Sequence, residues 1–178
     1  MKSELIKPTI ALIAVTVIAA FIIGLTFVFT EEPITEQRAR AELEAVLLLF
    51  PQTYDTLDFE ISIEGLSLNR GIKSFDNNGD LVGYVFSASP AGYSGAINMM
   101  VAIDTSGSIQ GVQIVRHTET PGLGSNITNE SFTNSFVGRS GVIAYDIPVI
   151  ASATISVNAV VRGINDAVLY FEEELISP

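Results

Sequence analysis

Three hydroxyl side chains crowd one short stretch near the C-terminus, Ala151-Ser152-Ala153-Thr154-Ile155-Ser156. A helical spacing of apolar residues follows at Val157, Val160, Val161, Ile164, Ala167, Val168, Phe171 and Leu175. Asn158, Arg162, Asp166 and Glu173 fall largely between them, on the wetter side. A helix start offers unpaired backbone N–H groups and a positive dipole end, a favourable place for a phosphate. Thr154 therefore sits where a phosphate could be held, and its small neighbours allow a bulky group to approach. The plainer reading of Thr154, Ser152 and Ser156 is a helix N-cap in a tight turn.

A second chemical stretch is His117-Thr118-Glu119-Thr120-Pro121-Gly122-Leu123-Gly124. Pro121 restrains one dihedral, and the flanking glycines free the next turns. Leu123, an apolar side chain on an exposed bend, can pack against a planar ring. One histidine and one carboxylate are too few for a metal site, so no metal is expected. The reading favoured over acid–base catalysis is that His117 ends a strand and Glu119 fixes the loop by hydrogen bonds. A third loop, Pro90-Ala91-Gly92-Tyr93-Ser94-Gly95, carries one aromatic residue.

The elements that must position these loops follow from periodicity. Thr9 to Phe29 is 21 residues without a charge, which as a helix spans roughly 31 Å, one hydrocarbon thickness. Lys2 and Lys7 precede it and Glu31 and Glu32 follow, so the positive-inside rule places the N-terminus in the cytoplasm and the remainder outside. A cleaved signal peptide is disfavoured by the length of the run and by the lack of a small-x-small site closing it. Pro33 is expected to end the span, with a second helix from Ile34 to Phe50 burying Ala39, Leu43, Val46, Leu47 and Phe50. Residues 55–58 read as a polar turn and residues 59–68 as a strand. Asp76-Asn77-Asn78-Gly79-Asp80 reads as a turn, since it lacks the glutamate that a calcium loop requires. Strands are expected at 81–88, 96–103, 109–116 and 142–145, with a hairpin turn at 104–108 and a short helix at 127–137 anchored by Ile127, Phe132 and Phe136. The expected architecture is α+β: a single N-terminal transmembrane helix (residues 1–30), then one antiparallel-sheet domain with flanking helices (31–178).

Composition narrows the function classes. The net charge is -11, and beyond the apolar segment seven Lys/Arg face nineteen Asp/Glu, which argues against nucleic acid as a partner. The chain has no cysteine, which excludes disulfides, cysteine-ligated iron–sulfur clusters and c-type haem attachment.

In order along the chain, GYSG (92–95), DTSG (104–107), HTETPGLG (117–124) and the terminal SATIS-helix (152–156 onward) resemble the G subunit of the Rnf complexes. The related C subunit of the sodium-pumping NADH:quinone oxidoreductases is similar. The resemblance covers nearly the whole chain, including the apolar N-terminal segment. It implies FMN joined by a phosphoester to the hydroxyl of Thr154, attached by a separate flavin transferase. It further implies a flavin ring lying among Glu119, Thr120, Gly122, Leu123, Gly124 and Tyr93, with Ser152, Ala153, Ile155 and Ser156 around the attachment point. The implied role is electron carriage on the outer face of an ion-translocating ferredoxin:NAD complex, beside other membrane, iron–sulfur and flavin subunits. Such a chain is not a complete enzyme alone. The family's attachment string is Asp-x-x-Ser-Gly-Ala-Thr; here Pro148, Ala151 and Ser152 stand at its Asp, Ser and Gly positions. Two alternatives remain open from the residues: an Rnf-like scaffold without flavin, or an anchored extracytoplasmic hydrolase using Ser or Thr with His117.

Overall fold

A computed structural model describes residues 2–144 and 150–176. The chain divides into two compact units, Met1–Ala41 and Glu42–Pro178. The first unit is helical, part of α1 (Lys2–Leu49), and contains the apolar stretch Pro8–Phe27, long and apolar enough to cross a membrane. Pro33 does not end the helix: α1 continues through it to Leu49. A proline removes one backbone donor and restricts the residue before it. Good helix formers follow, through Ala39-Arg40-Ala41-Glu42-Leu43, and favour continuation of the helix beyond it.

The second unit is built on a five-stranded antiparallel sheet in sequential order. Its strands are β1 (Asp55–Phe59), β2 (Leu68–Phe75), β3 (Leu81–Ala88), β4 (Asn98–Asp104) and β5 (Ile109–Arg116). Alternation along β3 and β4 sends Phe86, Ala88, Met99, Val101 and Ile103 to one face and Val85, Met100 and Ala102 to the other. The first face packs under the helix Thr154–Tyr170 through Val157, Val160, Val161, Ile164, Ala167 and Val168. The second is covered by Ala45, Val46 and Phe50 at the end of α1. Leu43 and Leu47, expected inside, are exposed. The helix presents Ala45, Val46 and Phe50 to the sheet, which turns 43 and 47 outward.

The expected turn at 55–58 is instead edge strand β1, paired from Asp55↔Phe75 to Phe59↔Gly71. Backbone pairing to β2 overrides its polar composition. Phe59, Ile61 and Ile63 do pack against the core, although residues beyond Phe59 leave the ladder. Gly71 lies directly beneath the Phe59 ring, where a Cβ would collide with it. After β5 the expected helix at 127–137 is three short turns, Gly124–Thr128, α2 (Glu130–Thr133) and Asn134–Phe136. Its anchors Ile127, Phe132 and Phe136 are nonetheless buried, the two rings meeting edge to face at 5.2 Å. The final helix, Thr154–Tyr170, is α3. The expected strand at 142–145 does not form over 142–144, and Tyr145 lies outside the described residues. The Asn165 side chain occupies the backbone of Ile143, accepting its N–H at 2.7 Å and donating to its carbonyl at 3.1 Å. A neighbouring strand would have used those same two groups.

Candidate functional site

Three loops distant in sequence meet at one end of the sheet and enclose a cavity of about 470 Å³. Its wall is Tyr93 from the β3–β4 loop, Glu119, Thr120, Leu123 and Gly124 from the segment after β5, and Ser152 to Ser156 at the start of α3. Of the residues that the resemblance places around the flavin, all but Gly122 line it, and His117 does not. Gly122 shapes the loop instead: its φ is +75°, a region glycine adopts without steric cost. Its N–H donates to Ser125 Oγ at 2.8 Å, and its carbonyl accepts from Asn126 at 3.1 Å.

The apolar part of the wall comes from Tyr93, Leu123 and Ile155, which are 69%, 44% and 53% exposed. Large apolar side chains left this open around one concavity suit a flat, partly apolar ligand. The polar part is the first turn of α3. Its N-cap residue is Ala153, with no side-chain capping bond, so the simple capping role for Thr154, Ser152 or Ser156 is not realised. The Val157 N–H is taken by the Ala153 carbonyl at 2.9 Å. The N–H groups ahead of it are the ones a helix start leaves without an intrahelical partner. Thr154 is exposed, and its hydroxyl makes no hydrogen bond among the described residues. Ser156 is buried and donates its hydroxyl to Glu119 Oε2 at 2.6 Å. The geometry thus separates two of the three hydroxyls: Thr154 offers a free one, Ser156 does not.

Ser152 has φ of +63°, the only non-glycine residue with positive φ among those described. An L-residue pays for that conformation, and Ser152 stands where the resembled string carries glycine. Pro148 lies outside the described residues.

Glu119 is 4% exposed. Its Oε1 accepts the backbone N–H groups of Tyr93 at 2.9 Å and Ser94 at 3.1 Å, and its own N–H donates to His117 Nδ1 at 3.2 Å. The hydrogen-bonding role expected from sequence is therefore present, and it reaches further than one loop. A tie between this carboxylate and Ser156, 37 residues on, has no local sequence signal. His117 serves as an acceptor for the loop backbone, and no hydrogen bond joins it to Ser152 or Thr154 among the described residues. Among the described residues no group of three or more His, Asp or Glu side chains could hold a metal ion.

The fold and the cavity define a class. Solved structures of similar architecture are the C subunit of the Na(+)-translocating NADH-quinone reductase of Parabacteroides distasonis and NqrC of Shewanella oneidensis. The first aligns with TM-score 0.52 and 20% identity over 71% of this chain and 79% of that one. The second aligns with TM-score 0.50 and 23% identity over 68% and 67%. The sequence model of a family described as FMN-binding domain matches residues 92–169, the segment that carries all three cavity loops. Among full-length relatives, the G subunit of the ion-translocating oxidoreductase complex of Pseudomonas aeruginosa is 32% identical, covering 100% of this chain and 92% of the relative. Its counterpart in Methanosarcina acetivorans is 30% identical over 95% of both. The chain belongs to the G-subunit family of ion-translocating oxidoreductase complexes.

Proposed function

We propose that this chain is an FMN-carrying electron-transfer subunit of an ion-translocating, Rnf-type membrane complex, with the flavin esterified to Thr154. The observation that carries the reading is the cavity inside the matched segment 92–169, with an apolar wall on one side and an uncapped helix start bearing a free hydroxyl on the other. The residues fit the group. Tyr93, Leu123 and Ile155 would cover the ring and exclude water from its faces. The first turn of α3 would meet the phosphate with N–H groups and the helix dipole. Bound flavin supplies one- and two-electron chemistry, and the protein supplies position and electrostatics.

A covalent link has a physical reason in this chain. Free FMN is an anion, and the formal charge beyond the apolar segment is strongly negative, so long-range repulsion opposes capture. An ester prevents loss by dissociation. The apolar helix would anchor the chain in the membrane, with Lys2 and Lys7 inside and the sheet domain outside. The other subunits of such a complex would be its partners, and a flavin transferase would mature it. The G subunit of the Na(+)-translocating ferredoxin:NAD(+) oxidoreductase complex of Acetobacterium woodii, 26% identical over 93% of this chain, supports that setting.

The test is Thr154→Val. Valine keeps nearly the same shape and removes the only atom that can form the ester. In-gel flavin fluorescence after denaturation, backed by peptide mass, should show a labelled parent and an unlabelled variant, with Ser152→Ala and Ser156→Ala still labelled. A fluorescent Thr154→Val band would move the attachment elsewhere. An unlabelled parent from its own membrane would favour the scaffold reading.

A further inference from the structure

The geometry points to Glu119 as the residue that sets the reduction potential of a redox ring held in this cavity, by fixing a buried negative charge in its wall. This rests on the reading that a flavin occupies the cavity. Three donors converge on the carboxylate: two backbone N–H groups on Oε1 and the Ser156 hydroxyl on Oε2. Both carboxylate oxygens are engaged, each contact using them as acceptors.

The surroundings are shaped to keep it there. A Cβ on Gly92 would collide with Oε1, and one on Gly124 would stand 2.6 Å from Oε2 and 2.7 Å from Ser156 Oγ. Two loops thus give up side chains to make room for one carboxylate. A neutral amide or hydroxyl could satisfy the same donors, so the hydrogen bonds alone do not call for a charge. The carboxylate lines the cavity while only 4% exposed, so water screens it little. One electron entering a ring makes it one unit more negative until a proton follows from solvent. A fixed negative charge beside the ring opposes that step and holds the potential down. The donors on Glu119 moderate the effect by spreading its charge.

Two substitutions in the full chain give opposite signs. Glu119→Gln keeps an acceptor for Tyr93 and Ser94, and its amide can donate to Ser156, so the joint persists while the charge goes. Ser156→Ala keeps the charge and removes one of its donors. Flavin retention is read by in-gel fluorescence and the potential by spectroelectrochemical titration with dithionite as the electron donor. Glu119→Gln should favour the reduced form about tenfold at fixed potential, about 59 mV upward for a one-electron couple. Ser156→Ala should move the potential downward. An unchanged potential in a flavin-bearing Glu119→Gln protein overturns the inference. So does a shift of both variants in the same direction, which is what loosening of the cavity would produce. If Glu119→Gln loses its flavin or its fold, Ser156→Ala decides alone: a lowered potential supports the inference, and an unchanged or raised one overturns it. A parent without flavin refutes the proposed function itself, and this inference falls with it.

Discussion

Replacing Ser152 with glycine should stabilise the protein, although Ser152 sits in the wall of the candidate site. Its φ of +63° lies in the left-handed region, which costs an L-residue roughly 1–2 kcal/mol. The side chain is exposed and makes no hydrogen bond among the described residues, so removing it forfeits no contact. Glycine relieves the steric cost but loses more entropy on folding, about 0.4–1 kcal/mol. The balance is a gain of up to about 1.5 kcal/mol, or a rise of up to roughly 6 °C in the midpoint for a domain of this size. Ser152→Val should go the other way by about 1–2 kcal/mol, since a β-branched residue resists positive φ most. Far-UV circular dichroism of the full chain in detergent, by heat and by urea, measures both. A glycine variant no more stable than the parent, beside an unaffected valine variant, would show that the turn carries no such strain.

Other substitutions test other parts of the structure. Gly124→Ala should disturb the Glu119–Ser156 bond and cost about 1–3 kcal/mol by urea unfolding, because the new methyl has no room. Asp104 holds the β4–β5 turn: burial pushes its carboxyl up, and hydrogen bonds from Ser106, Ser108 and Gln110 outweigh that and hold it below the usual value. A depressed carboxyl contributes stability above its unfolded value, about 3.9, and loses it as pH falls through the folded value. Asp104→Asn should therefore cost about 1 kcal/mol at pH 7 and progressively less below pH about 4, measured as the difference in urea midpoints across pH. Protease added to right-side-out vesicles should cut the chain beyond the apolar segment, and a C-terminal reporter active only in the cytoplasm should stay silent.

What could be read in advance depended on how local the cause was. The α3 helix is legible because Val157, Val160, Ile164, Ala167 and Val168 repeat at 3.6 residues and face one sheet. Strands β3 and β5 are legible because their apolar runs end at turn residues. β2 was hidden because Asn69, Arg70, Gly71 and Lys73 interrupt its pattern. Its place depends on Phe59 covering Gly71 from the next strand. The strand expected at 142–145 fails for a distant reason, the Asn165 amide on α3. In the site, the loop residues and the helix start were legible as strings with a family resemblance. Their closure around Glu119 was not, since it depends on Gly92, Gly124 and Ser156 arriving from three directions.

The bond between Glu119 and Ser156 joins segments made far apart in time during synthesis. Tyr93, Glu119 and Ser156 leave the ribosome in that sequence, and the cavity is complete only when the last helix has docked on the sheet. Contacts so far apart along the chain slow folding, because loop entropy is lost before they form. A nascent or misfolded chain would display Thr154 in a flexible segment, without the walls that surround it in the finished domain. On the proposed attachment at Thr154, an enzyme that read those walls would load cofactor only onto chains that have reached the native state.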